Sequence, residues 1–287
     1  MFGLSPPVIR AIMRKELAAY LGNPTGYVFL TLFIATTAAA AFLQEGFFAR
    51  NLADLAVLNQ IMPPILMLFV PAITMNVWAD ERRSGTEELL LTLPVRDAEV
   101  VLGKYLGALG VYTVALGFSL AHLGVLIFLG APDVGLMFAT YLGYWLMGGL
   151  FVAVGVWGSM FSANATVGFI LGGLGCSALV FAGAEPWASG LIGIALISGV
   201  AVLAVYAAKK ETEGLATTAV VGVLVATVLW VGGIWPDFEG TFALVGVQQH
   251  FAGFGQGMIR FGDVLYFVGG TAFVLYLCGF LLGRRHW

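Results

Sequence analysis

IMPPILMLFVPAITMNVWADERRSGTEELLLTLPV, residues 61–95, joins two kinds of sequence that a soluble domain rarely sets side by side. Its first part, Ile61–Ala79, carries no charge. The next nine positions hold Asp80, Glu81, Arg82, Arg83, Glu87 and Glu88. With Arg96, Asp97 and Glu99, the stretch 78–99 gathers nine of the chain's 29 charged side chains (13 basic, 16 acidic). Beyond Glu99 the chain is again apolar. The question is what solvent suits the apolar part and what the charged part touches.

Composition settles the solvent. The 287-residue chain is 60% hydrophobic and 10% charged, with a mean hydropathy of +0.96. Soluble domains run about half apolar and about a quarter charged. Lipid is the solvent that accommodates this excess. A bilayer-crossing helix needs about 20 mostly apolar residues. Eight runs approach that length: Tyr27–Leu43, Ile61–Ala79, Tyr105–Leu129, Leu136–Phe161, Val167–Ala184, Leu191–Ala208, Leu215–Trp235 and Leu265–Leu282. The expected fold is an all-α polytopic membrane protein of about eight transmembrane helices. Residues 1–25 do not read as a cleavable signal, because Arg10, Arg14, Lys15 and Glu16 interrupt any apolar core.

Orientation follows from Lys and Arg, which favour the cytoplasmic side. With the N-terminus inside, eleven of the 13 basic residues fall in cytoplasmic segments, and only Arg50 and Arg260 fall outside. The even span count places both termini in the cytoplasm, and the stretch 78–99 with them. Residues 80–103 then form a cytoplasmic segment. Ser84-Gly85-Thr86-Glu87 has the spacing of a capping box, which predicts a helix starting at Ser84 with Glu87 and Glu88 in its first turn. Leu89, Leu90, Leu91 and Leu93 give it an apolar side, and Pro94 ends it. Within residues 1–25, Val8, Ile9, Ile12, Met13, Leu17 and Tyr20 recur at helical spacing, with Arg14, Lys15 and Glu16 elsewhere on the wheel. This predicts an amphipathic helix lying in the membrane interface.

Some chemistries have no basis in these residues. No phosphate-binding Gly-x-x-x-x-Gly-Lys-Ser/Thr motif occurs, and the three histidines form no metal-ligand pattern. Cys176 and Cys278 sit inside apolar runs and read as buried small hydrophobes. Few polar groups lie within the spans. His122, Asn76 and Asn164 are the weak candidates for a substrate path. For His122 a helix-packing hydrogen bond is the stronger expectation, and for the two asparagines capping or interface anchoring is. Gly103-x-x-x-Gly107 and Gly168-x-x-x-Gly172 allow close helix approach, within one chain or between two. Pro63, Pro64 and Pro71 are expected to kink or loosen the second span.

Three stretches together resemble the permeases of ABC-2 type transporters, specifically the gliding-motility permease family (GldF-like). They are IMRKELAAYLGNPTGYVF at 12–29, WADERRSGTEELLLTLPVRDAEVVLGKYLG at 78–107 and HFAGFGQGMIRFGDVLYF at 250–267. The resemblance implies a six-helix permease core in the bacterial inner (cytoplasmic) membrane. Here 187–235 looks like an added helical hairpin within the 26–287 transmembrane domain. It also implies a separate ABC ATPase subunit that carries ATP and Mg, since this chain binds no cofactor of its own and does not hydrolyse ATP itself. The 80–103 segment becomes a coupling helix. Glu81, Arg82, Arg83, Ser84, Gly85, Thr86, Glu87, Glu88, Leu89 and Pro94, with Arg14, Lys15 and Glu16 of the N-terminal helix, become the ATPase interface. Further implied partners are a second permease copy and a GldG-like accessory protein docking on the outer segment 236–264. The lipid bilayer surrounds the chain, and no nucleic acid is involved. The expected function is ATP-driven export; the alternative is mechanical drive of the accessory protein without cargo.

Overall fold

A computed structural model describes residues 4–42, 55–92, 94–130, 132–184, 186–209, 215–232 and 244–283. Every regular element among these residues is an α-helix, with no strand among them. In chain order the helices are α1 (Pro6–Leu21), α2 (Pro24–Phe42), α3 (Ala56–Thr74), α4 (Asn76–Ser84), α5 (Thr86–Thr92), α6 (Asp97–Ser119) and α7 (Ala121–Leu129). They continue as α8 (Val134–Ser159), α9 (Ala165–Phe181), α10 (Pro186–Lys209), α11 (Leu215–Val231), α12 (Val247–Gly255) and α13 (Phe261–Gly283). In hydrocarbon every backbone N–H and C=O must be satisfied within its own segment, so apolar sequence folds this way.

Each of the eight apolar runs coincides with one or two of these helices. Among the described residues, four stretches are long and apolar enough to cross a membrane unaided: 56–84, 97–128, 134–159 and 261–283. A fifth arises if α1 and α2, bent by 75° at their junction, act together. The apolar helices Ala165–Phe181 and Thr217–Trp230 fall short of that length. The three prolines do not break the second span. α3 runs through Pro63, Pro64 and Pro71, and the Met75 N–H still reaches the Pro71 carbonyl at 2.9 Å. The span therefore continues through α4 to Ser84 as one 29-residue unit. Asp80–Arg83 are the end of a membrane helix, not a loop after it.

The chain divides into two compact units, 1–177 with 250–287, and 178–249. In the first, α8 is the central helix, and its 134–159 window is 72% buried. It packs on α3, α6 and α13, while α1 lies along α6. Asp133 starts α8 by accepting from the Gly135 and Leu136 N–H groups at 2.8 and 3.1 Å. Close approach uses glycine. Gly158 abuts the Gly172 backbone, and Gly172 in turn abuts Gly155, so α8 and α9 nearly touch. The Gly168-x-x-x-Gly172 pair thus serves packing within one chain. α13 leaves most of its surface uncovered, with 11% of its window buried.

In the second unit α10 packs on α11. Gly190 lies under the Trp230 indole and Gly222 under Ser198. Pro186 opens α10, where its missing N–H costs nothing. The Lys209-Lys210-Glu211 turn expected between these helices falls mostly outside the described residues, which resume at Leu215.

Candidate functional site

The charged end of the first unit centres on one lysine. Lys104 lies two turns inside α6 with none of its side chain exposed. Its ammonium meets Glu81 at 2.8 Å and Glu16 at 3.1 Å, and donates to the Val77 carbonyl at 2.6 Å. It also sits 4.7 Å from the centroid of the buried Trp78 ring. Moving a lysine out of water is unfavourable unless its charge and donors are all met, and here they are met by two helices other than its own. Lys15 adds a fourth ion, bonding Glu81 at 2.5 Å and lying 3.9 Å from Glu16. α1, α4 and α6 are thereby fastened at one point.

The seat for α1 is read in the glycines of α6. A Cβ at Gly103 would meet Ile12, one at Gly107 would meet the Glu16 stem, and one at Gly110 would meet Leu17. Gly103-x-x-x-Gly107 is therefore the bed for α1, and it delivers Glu16 to Lys104. At the start of α6, the Glu99 carboxylate accepts from the Ser5 N–H at 2.7 Å and the Arg96 N–H at 3.1 Å. Both ends of the α1–α6 contact are thus pinned by acids.

The corner between α4 and α5 differs from the expected capping box. Ser84 does not begin a helix; its hydroxyl donates to the Asp80 carbonyl at 2.8 Å and so belongs to the last turn of α4. Gly85 follows with φ +70 and ends α4 in the left-handed conformation that favours glycine. α5 then starts at Thr86. Ser84 Oγ and Thr86 Oγ1 share a hydrogen bond of 2.9 Å across the corner. Arg82 and Glu87 close it with a 2.9 Å ion pair, both side chains largely buried.

The predicted interface residues thus separate into two groups. Glu81, Arg82, Glu87, Lys15 and Glu16 are committed to partners within the chain. Arg14, Arg83, Ser84, Gly85, Thr86, Leu89 and Pro94 are exposed, Leu89 at 66%. Among the described residues Arg83 pairs only with exposed Asp80. The backbone of Glu88 lies in α5.

The three weak path candidates lie apart. Asn164 caps α9, its Oδ1 accepting from the Thr166 N–H at 2.9 Å. Asn76 is exposed at the start of α4. His122 is buried in α7, edge-on to Phe42 with ring centroids 5.8 Å apart. Neither of its ring nitrogens has a hydrogen-bond partner among the described residues, so none of these supplies the expected packing bond. Among those residues no metal-binding group of acids, histidines and cysteines occurs.

The opposite end of the unit is held mainly by tyrosines, an asparagine and aromatic packing, with one His–Asp contact. Tyr144 donates to Asn59 at 2.5 Å, and Asn59 to the Gly255 carbonyl at 3.4 Å. Tyr112 donates to the Tyr144 carbonyl at 2.7 Å. Phe254 of α12 is buried against Gly143, and Phe251 stacks on Tyr144. His250 meets Asp263 at 2.8 Å and stacks on Tyr266. The described part of the expected outer segment 236–264 is therefore partly a packed helix.

Lys104, Val77, Trp78 and Glu99 were not singled out from sequence. A lone lysine two turns inside a glycine-rich apolar helix was the available signal, because such a charge demands partners.

This arrangement defines a polytopic helical membrane protein with its charged joint at one end. A family model described as "ABC-2 family transporter protein" matches residues 34–185, over half of the chain. The chain belongs to that family. It is similar to the probable ABC transporter permease protein NosY of Stutzerimonas stutzeri, 30% identical over 166 residues, covering 54% of this chain and 57% of that protein. It is also similar to the probable ABC transporter permease protein NosY of Pseudomonas aeruginosa, 30% identical over 145 residues, covering 47% and 52% respectively. The chain thus spans just over half the length of these curated relatives. The level common to these matches and to the motif resemblance is the ABC-2 permease.

Proposed function

We propose that this chain is the permease subunit of an ATP-driven ABC-2 exporter of the gliding-motility type. It sits in the bacterial inner membrane with its charged end in the cytoplasm. ATP and Mg belong to a separate ABC ATPase that docks on the α4–α5 corner. A second permease copy and a GldG-like accessory protein complete the assembly.

The observation that carries this reading is the joint at Lys104. A partner pressing on exposed Leu89, Thr86 and Arg83 moves α5. The Arg82–Glu87 pair passes that movement to α4, which is continuous with the second span. Glu81 passes it on through Lys104 and Lys15 to α6 and α1. A merely solvated loop has no use for an exposed leucine beside a corner closed by a largely buried ion pair.

Co-purification with the ATPase from the same genome tests the reading. Wild type is compared with Arg83→Glu/Leu89→Asp, which changes only the exposed tip. Capture by wild type and its loss in the variant, with membrane insertion intact, is the expected result. Failure of the wild type to capture any ATPase overturns the docking assignment.

A further inference from the structure

Beside the Lys104 joint, a cleft of about 200 Å³ opens between α1, α2, α4 and α6. Lys15, Glu16, Asp80 and Glu81 line it. Lys104 and Lys15 hold the Glu16 and Glu81 carboxylates, which leaves Lys15 and Asp80 as the exposed cation and anion on facing helices. Lys15 of α1 has a side chain 60% exposed, and Asp80 of α4 one 52% exposed. Lys15 gives one donor to Glu81 and keeps two. Among the described residues the Asp80 carboxylate is held only by an exposed pair with Arg83, a contact that water weakens. Tyr20 also lines the cleft, and its hydroxyl is buried with no hydrogen-bond partner among the described residues. Such a group is unfavourable until a ligand atom meets it.

Past Phe29 and Met75 the cleft adjoins an apolar groove of about 370 Å³ between α2, α3 and α9, walled by Leu68 and Phe169. A polar mouth beside the interface-like helix α1 and an apolar groove along the span helices together fit an amphiphile. The facing charges fit a zwitterionic headgroup better than an anionic one.

We propose that this cleft binds one phospholipid of the ethanolamine headgroup class. Its phosphate meets Lys15 and the Tyr20 hydroxyl, its primary ammonium meets Asp80, and one acyl chain fills the groove between α2, α3 and α9. A glycerol headgroup offers Asp80 no cation. A choline headgroup offers a cation with no N–H to donate. The site does not depend on the ATPase reading, because none of its groups belongs to the exposed docking tip.

The test places the full chain in nanodiscs of equal parts phosphatidylethanolamine, phosphatidylglycerol and phosphatidylcholine. The protein is then extracted, and retained lipid is counted by native mass spectrometry. The expected result is one retained ethanolamine lipid per chain, preferred about tenfold over either competitor. Asp80→Lys reverses the preference toward phosphatidylglycerol. Tyr20→Phe lowers retention several-fold, and Ala72→Trp, which fills the groove, removes the bound lipid. Leu265→Trp on the uncovered face of α13 changes nothing. Absence of a one-to-one lipid on wild type, or equal retention of the three headgroups, overturns the proposal. So does an ethanolamine preference that survives Asp80→Lys. The wild-type comparison needs no variant to fold, and the melting temperature of each variant separates lost binding from lost structure.

Discussion

The ammonium of Lys104 lies 2.8 Å from the Glu81 carboxylate, and the two belong to different spans, 97–128 and 56–84. Nothing local in either helix brings them together. Lys104→Met leaves Glu81 and Glu16 close to each other without the buried cation between them. Breaking a buried pair from one side costs about 3–5 kcal/mol. Thermal unfolding of the purified protein should show that loss. Lys104→Met/Glu81→Gln should recover part of it, giving a coupling in a double-mutant cycle.

Gly107→Leu drives a side chain into the Glu16 stem. We expect α1 to lift from α6, and a cysteine placed at Ile12 to become reactive toward a water-soluble maleimide. Gly117→Ala, with open space at its Cβ, should leave that labelling unchanged.

Gly85→Ala isolates a backbone effect. Nothing lies within 4 Å of the added Cβ, but φ is +70. The expected loss is about 1–2 kcal/mol, read as a lower melting temperature. Gly85→Asn should lose less, since asparagine tolerates this conformation better.

Alkaline pH should loosen the joint through Lys15. Burial lowers its pKa, but the hydrogen bond to Glu81 and the charges of Glu81 and Glu16 outweigh burial, so it is raised above 10.5. A raised lysine contributes stability that is full below its unfolded value and is lost as pH rises through the folded one. Wild type should melt at constant temperature from neutral pH to about 10.5 and then fall more steeply than Lys15→Met.

At the other end, Tyr144→Phe removes the hydroxyl that meets Asn59. The expected cost is about 1 kcal/mol in thermal unfolding, with more if Asn59 is left unmet.

How much of this was legible beforehand depends on the range of the interaction. The apolar runs marked every major helix, because lipid leaves an apolar segment no other way to satisfy its backbone. The basic residues of 78–99 marked the charged end. The capping box was misread because Ser84-Gly85-Thr86-Glu87 fits two structures, a helix start at Ser84 or a helix end at Gly85. Choosing between them needs φ at Gly85, which spacing does not encode. The prolines do not interrupt α3, whose helix runs on through Pro63, Pro64 and Pro71. Glu81 and Arg82 were read as contacting or bracing a partner, and within the chain they meet Lys104 and Glu87. Which charge meets which, five residues on for Arg82 and Glu87 across the Gly85 turn and 23 residues on for Glu81 and Lys104, is decided by the folded chain.

Trp78 sits fully buried with its ring 4.7 Å from the Lys104 ammonium. The joint therefore carries its own optical probe. A cation beside an indole shifts its excited state, so movement of Lys104 away from the ring changes Trp78 emission without any label. In a background where the other six tryptophans are phenylalanine, the colour of this one residue follows the joint in real time.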